Sequence, residues 1–329
     1  MDRINSPIGL AERVRLRRWL AAVGLTSAAV DVARVDTPET NAMALLGAHA
    51  ACEALLGLVA RKARHKPGEE VSFSGLLTAA GANVQLHADL VDDLDAMHRM
   101  RNDFVHASNV VASDEVARAI SNSRRLLELA MPDPRMSGIP DHFGPATAVA
   151  ELICVEPVGI WLRDSDKMRS IGLLDEAADG LARALHAALL RTRPRLLPFD
   201  VSPFQQLARI RLGLGPDRDE EAMKAGISSL HRWVMPLALG VSPAAYERLV
   251  ALLGSVPHEM PLAPPAQVFR GKDVVITEPE LRSATAQTAE IVFRLWAMGS
   301  LRSGSQDDQV AEQARTFIET RSISRVVPP

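Results

Sequence analysis

Arg101 and His106, with Asn102 directly after the arginine, bring together a permanent cation, an amide and a group that titrates near neutrality. Arginine offers a planar fork that matches the oxygens of a phosphate or carboxylate. Histidine is the side chain whose ordinary pKa suits proton transfer at neutral pH. Leu86, Leu90, Leu94 and Met97 recur ahead of them at steps of three and four, which draws one apolar stripe along a helix from about Gln85. Arg101 takes the next place on that stripe, where a leucine is expected. A guanidinium there costs stability unless its charge has a partner or opens onto a cleft. On an unbroken helix, residues five apart diverge by about 140°. Arg101 and His106 therefore share a face only if the helix ends or bends between them, and the weak helix formers of 107–113 are the expected break. A plainer alternative makes Arg101 a buried ion-pair partner of Glu53 and His106 a surface residue.

At Arg101-Asn102-Asp103-Phe104-Val105-His106 the chain resembles the HEPN superfamily, whose hallmark is an Arg, four to six intervening residues and a His. Asn directly after the Arg is a form many members show. The resemblance covers roughly residues 37 to 130. It implies an all-α four-helix unit that forms a homodimer, often a metal-independent endoribonuclease, with two Arg/His pairs facing each other across the axis. Such chemistry needs a base for the 2′-hydroxyl proton of RNA and a cation for charge on the phosphate. By the resemblance these are His106 and Arg101, positioned by Asn102 and by Glu53, which matches an acidic or polar residue on the upstream helix. The same resemblance suggests a bacterial toxin or anti-phage setting, an RNA substrate, a regulatory or antitoxin protein as a further partner, and no cofactor or metal. Some family toxins carry a Tyr two residues past the His, which a partner nucleotidyltransferase adenylylates. Ser108 stands there in this chain, so that control is not expected.

The elements that must position these residues are helical. Residues 8–23 read as a first helix with Leu10, Val14 and Leu20 inward and Arg13, Arg15, Arg17 and Arg18 mostly outward. Thr37 caps a second, with Pro38 at its first position and Glu39 near its positive end. It runs to about Arg64, before the Pro67-Gly68 stop, and carries His49 and Glu53 four apart on one face. His49 alone reads as a structural histidine. A short helix over Phe73–Ala80 precedes the Arg101 helix, and Ser113 is the expected cap of the next, with Val116, Ile120, Leu127 and Ala130 inward. Asp89, Asp92, Asp93 and Asp95, with His87 and His98 nearby, form a solvated outer face of the Arg101 helix. No adjacent His-Asp pair of the kind metal phosphohydrolases use is among them.

At 329 residues the chain allows about two domains. Hydrophobic residues make up 47% and aromatics only 4%, a balance that favours helices over sheets. The fold expected is mainly all-α: a HEPN-like four-helix bundle over 1–130, a Pro/Gly-rich linker over 131–145, and a mostly helical domain of unknown role over 146–329. In the second domain, helices are expected at about 173–193, 219–239, from Ser242-Pro243, 278–298 and 307–320. Val268 to Ile276 is the one hairpin candidate. Arg183, Arg191, Arg193, Arg195, Arg209 and Arg211 make a small basic cluster, the better candidate for a nucleic-acid patch in the second domain; interleaved aromatics are absent, and a solvated surface is the plainer alternative.

The net charge of −3 supplies no global field for nucleic acid. Any RNA contact must come from a local patch. Cys52 and Cys154, each inside an apolar run, read as small buried residues of a reducing compartment. No apolar run of membrane-spanning length and no signal-peptide core are evident, so a cytoplasmic protein without membrane contact is expected. The alternative function is a non-catalytic HEPN-like helical module that binds a nucleotide, RNA or protein partner through the Arg101 region.

Overall fold

The computed structural model describes residues 8–60, 72–84, 86–107, 109–132, 139, 142–190, 241–254, 268, 270–271, 274–299, 301 and 311–319. Among these the chain forms eleven helices and no strand, which establishes the mainly all-α class. Residues 9–148 make one compact unit, and Ile8 with the described part of 149–329 makes another. The division falls inside a helix, at Ala148–Val149, rather than in the Pro/Gly-rich stretch before it.

The N-terminal unit holds α1 (Leu10–Ala33), α2 (Pro38–Val59), α3 (Phe73–Asn83), α4 (Ala88–Ala107) and α5 (Ser113–Leu129). Local chemistry starts most of them. The Thr37 hydroxyl accepts from Thr40 N, Thr40 Oγ1 accepts from Thr37 N at 2.9 Å, and Pro38 follows with no N–H to satisfy. Ser72 accepts from Gly75 N at the head of α3. For α5 the cap is Ala112, not Ser113: Glu115 reaches back to accept from Ala112 N at 2.9 Å. The Ser113 hydroxyl instead donates to Asp36, which also accepts from Asn41, so the starts of α2 and α5 are tied together.

α2 is the central helix, packed by α1, α3, α4 and α5. Leu45, Ala48, Cys52, Leu55 and Leu56 are fully buried along it, and burial pushes the Cys52 thiol pKa up. By length and composition α2 is also apolar enough to cross a membrane, which corrects the expectation that no such run exists; more than half of its apolar window is packed inside the unit. α1 is longer than expected and turned differently. Leu16, Trp19, Ala22 and Val23 face inward while Leu10 and Val14 are exposed, because Trp19 places the largest apolar surface on that phase. Trp19 Nε1 donates to Leu127 O at 3.4 Å, and its ring meets Phe143 edge-on.

The C-terminal unit contains α7 (Glu156–Ser170), α8 (Leu174–Leu190), α9 (Pro243–Leu253), α10 (Glu278–Ala297) and α11 (residues 311–319), after α6 (Pro145–Ile153), which carries the chain into it. α7 and α8 approach closely at Gly180, where a Cβ would lie 3.2 Å from Trp161 O and from Ser165 Cβ. Cys154 is exposed, not buried, and holds φ at 51° just past α6. In the hairpin candidate Val274 N donates to Gly271 O, and its described residues form no strand; Phe269, Lys272 and Asp273 lie outside the described residues. The expected helix at 219–239 and Arg191, Arg193, Arg195, Arg209 and Arg211 lie outside them too.

Candidate functional site

The leucine stripe of α4 is real: Leu90, Leu94 and Met97 are buried, and Arg101 follows half-buried. Its guanidinium Nη1 donates to Asn102 Oδ1 at 2.9 Å. Asn102 Nδ2 lies 3.2 Å from Nε2 of His98, one turn back on the same helix. His98 Nδ1 in turn lies 3.0 Å from Nε2 of His49, which reaches across from α2. From α3, Phe73 stacks on both imidazoles, with ring centroids 4.6 Å from His98 at an interplanar angle of 3° and 4.8 Å from His49. Four polar side chains from two helices thus form one continuous chain under an aromatic cover.

The electrostatics follow from that packing. His49 is buried, and its pKa falls to about 4, first through loss of hydration and then through the neighbouring His98 and Arg101. It is neutral at pH 7. Among the described residues no carboxylate lies within ion-pair distance of Arg101, so its charge is met only by a neutral amide. Surplus positive charge at partial burial is a binding condition for an anion.

The other expected site residues stand apart. Glu53 is exposed on α2 and forms no ion pair with Arg101. The helix does not break between Arg101 and His106 but continues to Ala107, so the two side chains diverge by about 140° around α4. His106 is exposed on the last turn, between exposed Val105 and Ala107. Arg101 and Asn102 are therefore brought together, whereas Glu53 and His106 are not joined to them within one chain.

His98 and His49 are the members that sequence reasoning did not place in the site. His98 belongs to the inner cluster, not the solvated acidic face. One signal was present: His98 and Asn102 are four apart, the spacing of helical neighbours. The acidic face itself is as expected, with Asp95 paired to Arg99 and Asp93 to Arg125, both at 3.2 Å and partly exposed. No group of three metal-ligating side chains occurs among the described residues.

The C-terminal unit buries an unexpected set of polar groups on α7: Asp164, Ser165, Asp166 and Arg169. Arg169 Nη1 donates to Glu278 at 2.9 Å. The Arg183 guanidinium lies 4.8 Å from the Trp161 ring centroid and 4.9 Å from that of Phe317. Comparison of the chain with protein-family models, with curated proteins and with solved structures finds no match.

Proposed function

We propose that this chain is a metal-independent endoribonuclease that works as a homodimer, with Arg101 holding the phosphate and His106 moving the proton. The observation that carries the reading is the half-buried Arg101 guanidinium, held by the neutral Asn102 amide and by no carboxylate among the described residues. A cation kept in this way is available to the non-bridging oxygens of a phosphodiester. The 2′-hydroxyl oxygen attacks phosphorus and its proton passes to His106; the bond from phosphorus to the 5′-oxygen breaks and that oxygen takes a proton from water, giving 2′,3′-cyclic phosphate and 5′-hydroxyl ends.

Because His106 points about 140° away from Arg101 around α4, the reading requires the Arg101 of one chain to meet the His106 of a second. Purified protein should cut RNA with chelator present. Arg101→Ala and His106→Ala should each abolish cutting while the circular dichroism stays helical. Equal activity of either variant and the wild type ends the proposal.

The same divergence favours one second reading, a helical module that binds RNA or a nucleotide through Arg101 without cleaving it. That reading requires a stable complex, lost in Arg101→Ala, with intact RNA recovered from it.

A further inference from the structure

We infer that Asn102, His98 and His49 form a one-way hydrogen-bond chain whose task is to hold Arg101 by neutral acceptors, so that its full charge is left for an anion. The direction follows from donor and acceptor inventories alone. A guanidinium only donates, so the Asn102 atom 2.9 Å from Arg101 Nη1 must be the oxygen. That places the Asn102 NH2, which also only donates, 3.2 Å from His98 Nε2. His98 Nε2 must then be a bare acceptor, and the single proton of the neutral ring sits on Nδ1. It points at His49 Nε2, 3.0 Å away, which must accept as well. His49 therefore carries its own proton on Nδ1. One cation at one end fixes an amide and two tautomers across two helices.

The packing supports this polarity. His49 is buried and its pKa lies at about 4, so it stays an acceptor at neutral pH. Phe73 is stacked flat on His98, which restrains the ring to the plane in which both of its nitrogens find partners. A carboxylate in the place of Asn102 would orient the guanidinium equally well but would also neutralise it. An amide backed by two neutral imidazoles orients without neutralising. What the retained charge is used for rests on the phosphate-binding role proposed above; the polarity of the chain does not.

The experiment is long-range nitrogen–proton NMR on the full chain with labelled histidines at pH 7, in the absence of RNA. Both His98 and His49 should show the Nδ1–H tautomer, whereas a free neutral histidine prefers the Nε2–H form. Asn102→Asp replaces the donating NH2 by an accepting oxygen, so His98 should gain a proton on Nε2. Arg101→Met removes the obligate donor, and both rings should become tautomer mixtures. An Nε2–H tautomer at His98 in the wild type overturns the inference, and so do His98 signals that are the same in all three proteins. Expected tautomers together with uncut RNA would sink the ribonuclease proposal alone and leave the chain standing.

Discussion

Nδ1 of His98 and Nε2 of His49 stand 3.0 Å apart, a distance at which one proton is shared and two cannot be held. This contact joins the central helix α2 to the Arg101 helix α4, so the neutrality of His49 is a condition of the native packing. Protonating His49 would set a buried imidazolium against His98 and near Arg101, the two groups whose fields act on it.

Stability should therefore fall as the solution is acidified. The folded pKa of His49, about 4, lies below its unfolded value of 6.5, so the unfolded chain binds the proton more readily between those values. Stability is complete above about pH 6.5 and declines toward pH 4, by about 2 kcal/mol at pH 5 from this group alone. Urea midpoints at pH 7 and pH 5 should show the drop in the wild type, and His49→Gln should flatten it. Asp36, whose carboxyl is held below its usual value by Ser113 and Asn41, loses its contribution only as pH falls through that lower value, outside this window.

Arg101→Met should leave the fold as stable as before or raise its melting temperature. Methionine continues the stripe of Leu90, Leu94 and Met97, and no ion pair with a described residue is broken. The change in unfolding free energy should lie within about 0.5 kcal/mol of zero or favour the variant. If Arg101 were a structural ion-pair partner, removal would leave a buried partner uncompensated at about 3 kcal/mol or more. Chemical denaturation of the two proteins separates these cases.

Leu94→Ala tests whether α4 is anchored by its stripe. Leu94 is fully buried, and its truncation should cost about 2–5 kcal/mol, read as a lower urea midpoint with an unchanged slope. A loss below about 1 kcal/mol would mean that the stripe is loosely packed.

Helix existence was legible in the residues because its signals are local. Thr37-Pro38, Ser72 and Ser242-Pro243 announce their helices through side chains acting within one turn, and the observed starts agree. The α4 stripe was legible for the same reason. The facing of α1 was not: Leu10, Val14, Leu16, Trp19 and Leu20 offer several apolar phases, and only packing selects the one through Trp19. His98 was concealed by its neighbours, since it sits between Met97 and Arg99 in a polar stretch. The partners that give it a role, His49 and Phe73, come from α2 and α3, so no window along the chain contains the cluster. The run of α4 through His106 was misread because the serine, asparagine and valines that follow Ala107 are weak helix formers, whereas the helix ends after His106 and not before it.

That uninterrupted end of α4 yields a test of where the proposed ribonuclease site would be assembled. Arg101 and His106 project about 140° apart, so one chain alone does not gather them on one face. If two chains complete the site, each pocket takes its arginine from one subunit and its histidine from the other. Arg101→Ala and His106→Ala proteins should each be inactive alone. Unfolded together and refolded as an equal mixture, half of the dimers should be mixed, and each of these keeps one intact pocket of two. Activity should then return to about a quarter of the wild-type value. A mixture as inactive as its parents, with mixed dimers verified by mass spectrometry, would place both residues of the reaction in one chain and refute the shared site.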